Sequence, residues 1–230
     1  MNRFNLHVRL AMYFVGLFIM TAGIAFSVKS NLGVSPVSSI PYTMTCVWGI
    51  EMGKATILFH VGLVALQMLL LRKKFKTVNL LQILVGVIFG YFTTLCNWGV
   101  GFLPTPDSFL VRIVFTLLSV VLIAVGIFFY MPANVMPLAG EGAMLAVSKV
   151  TGFQFHRVKV GFDVSMVAVS LVVCALLLHS LGSVGVGTIV AAFLVGIVLG
   201  FVNRHFGNWR DNLLSNDDGA GDGDALPANA

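Results

Sequence analysis

The sequence predicts an all-α polytopic membrane protein with six transmembrane helices and two re-entrant half-helix segments, arranged as two inverted three-helix repeats. Of its 230 residues, 58% are hydrophobic and only 10% are charged, whereas soluble domains carry about 25% charged residues. Long apolar runs recur along the chain, and such runs span membranes as helices rather than as barrel strands. A net charge of +5 does not indicate nucleic-acid binding, because most basic residues stand in short clusters between the apolar runs.

Six apolar runs are long enough to span a bilayer, namely residues 10–28, 56–71, 80–100, 113–131, 160–178 and 184–202. The first run follows Arg3 and Arg9 but is longer than the apolar core of a signal peptide, which predicts a retained span. Two further apolar segments, residues 36–47 and 138–150, fall short of the ~20 residues that a span needs. They are therefore predicted to be half-helices that begin inside the membrane, as in many transporters.

The distribution of positive charge predicts that both termini are cytoplasmic. With both short segments re-entrant, all but Lys29, Lys54 and Arg112 of the 14 Lys and Arg residues fall on the inner side. A complete span at residues 36–47 would place the basic cluster at residues 72–76 outside, against the positive-inside rule. The expected location is the bacterial cytoplasmic membrane.

The two halves of the chain resemble each other at a shift of 103 residues, with two further matching stretches at a shift of 110. The shorter shift aligns Asn31 with Asn134 and places both short segments at matching positions. Because each half then has three spans, the second half must be inserted upside down. We expect repeats at residues 1–103 and 109–205, followed by a disordered cytoplasmic tail at residues 211–230, which lacks aromatic residues.

Polar groups on the two short segments predict a binding site where their ends meet. Serines beside Pro36 would add donors and acceptors to the exposed N–H groups of a half-helix, although they also serve to cap it. The acid flanked by glycines in the second segment is costly at membrane depth, yet as a first-turn residue it also stabilises the helix dipole. The expected substrate-binding residues are Asn31, Ser35, Ser38, Ser39, Asn134 and Glu141.

Three titratable residues are candidates for a proton or coupling-ion site, namely Glu141, Asp163 and His60. Asp163 lies four residues after Lys159, a spacing that equally favours a structural ion pair. His60 taken alone is more typical of a buried structural histidine. Gln67 and Gln82 are expected to form hydrogen bonds between helices. We expect no metal site, since Cys46, Cys96 and Cys174 lack the spacing of metal ligands.

Residues 32–42, Leu-Gly-Val-Ser-Pro-Val-Ser-Ser-Ile-Pro-Tyr, resemble the YczE/YyaS/YitT group of bacterial integral membrane proteins. Residues 137–142, Pro-Leu-Ala-Gly-Glu-Gly, with Lys159 and Asp163 in the next span, are similar to the same group. The resemblance covers about residues 10–205. It implies a protein of the bacterial cytoplasmic membrane, is compatible with a transporter, and supplies no catalytic residues.

The function that these patterns favour is a gradient-driven secondary transporter of a small polar solute. A channel and a non-transporting accessory or scaffold membrane protein are the alternatives. An enzyme is not expected, because no Ser/His dyad, metal-ligand cluster or pair of intramembrane aspartates is visible, and no cofactor is expected.

Small-xxx-small pairs at Gly86/Gly90 and Gly196/Gly200 are expected to be packing faces, either inside the protein or in a homodimer.

Overall fold

The computed structural model describes residues 3–180 and 182–215, with side chains described from Leu6 to Leu214, and this part of the chain is all-helical. The predicted disordered tail lies outside the described residues from position 216 onward. Its first five residues, 211–215, belong to the last helix instead, where Arg210 hydrogen-bonds Asp211 and Asn203 and lies over the ring of Phe128.

Six helices of the described chain are long and apolar enough to cross a membrane, which confirms the predicted all-α polytopic membrane fold with six spans. They are α1 (Arg3–Ser30), α3 (Met52–Leu71), α4 (Leu81–Gly101), α5 (Phe109–Tyr130), α7 (Phe155–Leu178) and α8 (Val186–Ser215). Two 3₁₀ turns, Arg72–Lys74 and Thr77–Leu80, connect α3 to α4. The hydrophobic side chains that remain exposed on the spans form the surface that a lipid bilayer covers.

Two short helices, α2 (Pro36–Trp48) and α6 (Ala139–Thr151), occupy the predicted half-helix segments. Each has 13 residues, about 20 Å at 1.5 Å per residue, which is shorter than the ~30 Å hydrocarbon core of a bilayer. Helix α2 begins with Pro36, whose missing N–H costs nothing in a first turn. Both short helices end at a left-handed glycine, Gly49 and Gly152, whose N–H groups cap Thr45 and Ser148 carbonyls.

A close pair of helices, α1 and α5, forms the centre of the fold. Gly16 of α1 faces Gly126 and the backbone of Tyr130, and Gly23 faces Ile123. Small residues let two membrane helices approach until their backbones touch. Helix α4 packs on α1, and α8 packs on α5.

The short helices are exchanged between the halves. Helix α2 packs mainly on α7, and α6 packs mainly on α3. Each short helix therefore lies against a spanning helix of the other half, and this arrangement brings both short helices to the middle of the protein.

Candidate functional site

The first turns of α2 and α6 lie next to each other. A Cβ atom placed on Gly140 would be 3.7 Å from Cγ1 of Val37 and 4.0 Å from Cδ1 of Leu63. Val37 and Gly140 are each the second residue of their helix. The ends of the two short helices that carry free N–H groups and the positive pole of the helix dipole therefore meet inside the protein.

Two pairs of serine hydroxyls lie at the first turn of α2. The Ser35 hydroxyl donates to Ser38 Oγ at 3.0 Å, and Ser39 donates to the Pro36 carbonyl at 2.6 Å. Ser170 of α7 in turn donates to Ser39 Oγ at 2.9 Å. Ser38, Ser39 and Ser170 are buried. Because a hydroxyl oxygen has two lone pairs, this group retains acceptor capacity beside the helix end.

A tyrosine holds the acid of the second short helix. The Tyr130 hydroxyl donates to Oε2 of Glu141 and accepts a hydrogen bond from the Leu138 N–H at 2.9 Å. The Tyr13 ring lies 5.5 Å from the Tyr130 ring, and its hydroxyl donates to the Met136 carbonyl at 2.8 Å. The carboxyl group is thus fixed at the start of α6 by side chains of the α1–α5 pair.

Replacing Tyr130 by Phe is expected to lower stability more than replacing Tyr13 by Phe. Tyr130→Phe leaves the buried Leu138 N–H without its acceptor and removes the donor to Glu141, at a cost of about 1–3 kcal/mol. Tyr13→Phe removes one part-buried hydrogen bond to the Met136 carbonyl, with a net cost of about 0.5–1.5 kcal/mol. Thermal unfolding of the detergent-purified variants measures the difference. Equal losses would show that the Tyr130 hydroxyl does not bridge Leu138 and Glu141.

The side chains that pack beside the first turn of α2 differ in size from those beside the first turn of α6. At the position where α2 has Ser39, α6 has Gly142, and a Cβ there would lie 2.8 Å from Gln67 Oε1. Gln67 donates to Gln82 Oε1 at 2.8 Å and to the Ala139 carbonyl at 3.2 Å. The prediction of hydrogen bonding between helices by Gln67 and Gln82 is confirmed. A long amide thus packs against the glycine, whereas the short Ser170 side chain packs against the serine.

The three predicted titratable residues lie in different surroundings. His60 is buried between α3 and α4, stacked on Phe89, and its Nδ1 has no hydrogen-bond partner among the described residues. Asp163 pairs with Lys159 at 2.8 Å, as the four-residue spacing allows. No hydrogen bond or ring contact within residues 6–180 links either residue to Glu141.

The two predicted asparagines follow the ends of α1 and α5, and their side chains make no hydrogen bond to the serines or to Glu141 within the described residues. Asn31 and Asn134 are exposed and have left-handed backbone conformations, with φ of 53° and 50°. Asparagine tolerates this conformation better than most residues. Their backbone conformation therefore accounts for the residue type at both positions.

The site contains residues that the sequence patterns did not single out, chiefly Tyr13, Tyr130 and Ser170. Tyr130 ends an aromatic run, Phe128-Phe129-Tyr130, and its hydroxyl is the only polar group of that run. The sequence signal for Tyr130 is therefore a hydroxyl group eleven residues before an acid that is expected within the membrane. Tyr13 and Ser170 lie within apolar spans and offered no comparable signal.

The two small-residue faces differ in their surroundings. Gly86 and Gly90 lie against His60 and Ile57 of α3, so this pair packs inside the protein. Around Gly196 and Gly200 of α8, no described atom outside the adjoining backbone of the helix itself lies within 4 Å of where a Cβ would be. Only the α8 pair is therefore an open face.

Comparisons with known proteins support the resemblance noted in the sequence. The chain is 26% identical over 199 residues to the Uncharacterized membrane protein YczE of Bacillus subtilis (strain 168), with 86% of each chain covered. No solved structure matches the chain. The profile described as Family of unknown function (DUF6198) matches residues 7–204. The protein therefore belongs to the family DUF6198 and is a multi-pass membrane protein.

Proposed function

We propose that this protein is a gradient-driven secondary transporter of a small polar solute in the bacterial cytoplasmic membrane. The observation that carries the proposal is the meeting of the α2 and α6 first turns at Val37 and Gly140. Half-helices whose N-terminal ends point at a common midplane position are the recurring substrate site of transporters with inverted repeats.

The proposal includes an inverted repeat, which the spacing and the contacts of the helices support. Helices α2 and α6 have the same length and begin 103 residues apart, and the first residues of α3 and α7 are also 103 residues apart. Their terminating glycines and the two left-handed asparagines obey the same shift. The contact of α2 with α7 is matched by that of α3 with α6, as a twofold axis in the membrane plane requires. The proposal places both termini in the cytoplasm, as the positive-inside rule favours.

The chemistry of the site suits a small polar solute and a coupled proton. The serine hydroxyls and free N–H groups offer donors and acceptors on the α2 side, while Glu141 offers an acid on the α6 side. An acid within the membrane pairs with other groups and commonly carries protons in transporters. Asp163 and His60 are proposed as secondary proton-binding residues, although they lie on α7 and α3 rather than on α6 with Glu141. The open Gly196/Gly200 face is the proposed homodimer contact.

Reconstitution of the full chain tests this function. Proteoliposomes that contain pyranine would receive amino acids, small amines, polyols or ammonium, with internal pH followed by fluorescence. A transporter gives a saturable pH change with one solute class and counterflow of that radiolabelled solute. Flux that never saturates and shows no counterflow would favour a channel. Stable reconstituted protein without flux in any class would favour an accessory membrane protein.

A further inference from the structure

A cavity of about 630 Å³ opens between α6 and α7, away from the meeting point of the short helices. Its volume lies in the range of small-molecule sites, about 300–1,000 Å³. Val147 of α6 and Val158 and Phe162 of α7 form much of its wall, and Phe153 stands at the connection between the two helices. Gly161 has no atom of the described residues within 4 Å of its missing Cβ and so leaves the space open.

The polar atoms of this cavity are already bonded, with one exception. The Thr151 hydroxyl donates to the Val147 carbonyl at 2.8 Å, and the Ser165 hydroxyl donates to the Phe162 carbonyl at 2.7 Å. Both hydroxyls are therefore bonded to the backbone of their own helix. The guanidinium group of Arg157 makes no hydrogen bond or ion pair with any residue that the structure describes. The cavity thus offers an apolar wall and a single unpaired cation.

The position of this cation matches the headgroup region of a membrane. Arg157 lies in the first turn of α7, at the end of a spanning helix. From Arg157 the lining extends along α7 to Ser165, eight residues or about 12 Å at 1.5 Å per residue. An apolar wall of this depth below an interfacial arginine suits an acyl chain that carries an anionic headgroup. A small polar solute would find no free partner along the wall.

We propose that the α6–α7 cavity binds one acyl chain of an anionic phospholipid, whose phosphate pairs with Arg157. The headgroup interacts with the guanidinium group through charge and bidentate hydrogen bonds, and the chain covers Val158 and Phe162. This binding does not depend on transport activity. It predicts selectivity for anionic over zwitterionic lipids with identical chains.

The repeat itself supplies a variant that fills the cavity. At the shift of 103 residues, Leu58 of α3 corresponds to Gly161 of α7. A Cβ atom at Gly161 would meet no neighbouring element within 4 Å, so Gly161→Leu would direct a leucine side chain into the open space, and leucine favours a helix more than glycine does. Gly62→Leu is the matched control, because Gly62 is an exposed glycine of α3 that also has open space around its Cβ position.

Native mass spectrometry of the delipidated full chain tests the proposal with dioleoyl phosphatidylglycerol, dioleoyl phosphatidylethanolamine and inorganic phosphate. The first phosphatidylglycerol is expected to bind about fivefold more tightly than phosphatidylethanolamine, as for one basic residue near the membrane surface. Arg157→Gln should remove that preference. Gly161→Leu should weaken the binding of both lipids, whereas Gly62→Leu should weaken the binding of neither. Equal affinities in the parent protein, a preference that survives Arg157→Gln, unchanged binding in Gly161→Leu, or displacement of the lipid by inorganic phosphate would each overturn the proposal.

Discussion

Glu141→Gln is expected to reduce solute-coupled proton entry into proteoliposomes to the level of protein-free liposomes. Glutamine keeps the size of the side chain and can still accept the hydrogen bond from Tyr130, so the start of α6 is preserved. It cannot bind and release a proton, which is the step that couples solute movement to the proton gradient. Pyranine fluorescence with the active solute class measures this loss, while solute counterflow reports whether binding and exchange persist.

Glu51→Gln is the matched control for this experiment. Glu51 is the only other glutamate of the described chain, and its carboxylate caps α3 by accepting from the N–H groups of Gly53 and Lys54 at 2.8 and 3.0 Å. The Thr94 hydroxyl also donates to it. An amide oxygen preserves part of this cap, so coupled flux should persist. Full proton coupling in Glu141→Gln would remove Glu141 from the mechanism, and equal loss in both variants would indicate a general effect of removing an acid.

The helix positions were predictable because the bilayer imposes a simple length rule. Residues 36–47 and 138–150 were expected to be short helices, and the structure has them at Pro36–Trp48 and Ala139–Thr151. Their ends are encoded locally, by Pro36 at one start and by Gly49 and Gly152 at the two ends. The pairing of Lys159 with Asp163 was also predictable, because it depends only on their four-residue spacing along one helix.

The partners of Glu141 were not predictable, because they depend on how helices rotate against each other. A soluble helix reveals its buried face through amphipathic periodicity, but a membrane helix is apolar on both its lipid-facing and its protein-facing sides. The sequence of α5 therefore does not show that Tyr130 turns toward α6. For the same reason His60 was grouped with Glu141, whereas the structure places its ring against Phe89 and Gly86.

The α1–α5 pair provides the link between packing and the site. Its helices touch through Gly16 and Gly126, and a Cβ on Gly16 would lie 2.5 Å from the backbone nitrogen of Tyr130. Tyr130 holds Glu141, and Tyr13 of α1 packs on the Tyr130 ring. The contact between α1 and α5 therefore lies directly beside the tyrosine that bonds the carboxyl group at the start of α6.

Gly126→Ala is expected to destabilise the protein strongly and to weaken coupled flux as well. The new Cβ would lie 2.6 Å from the Met20 backbone nitrogen and 2.7 Å from the Gly16 carbonyl oxygen, so that the helix backbones themselves must separate. Overpacking of this kind costs about 1–3 kcal/mol, and Gly126→Leu should yield little monodisperse protein.

Gly62→Ala and Gly62→Leu are the controls. They add the same groups where no neighbouring element lies within 4 Å, and they should retain the parent's melting temperature and elution profile. A Gly126→Ala variant that melts at the parent temperature would show that α1 and α5 do not cross at this distance. A variant that folds but loses coupling would show instead that their spacing controls the hydrogen bond between Tyr130 and Glu141.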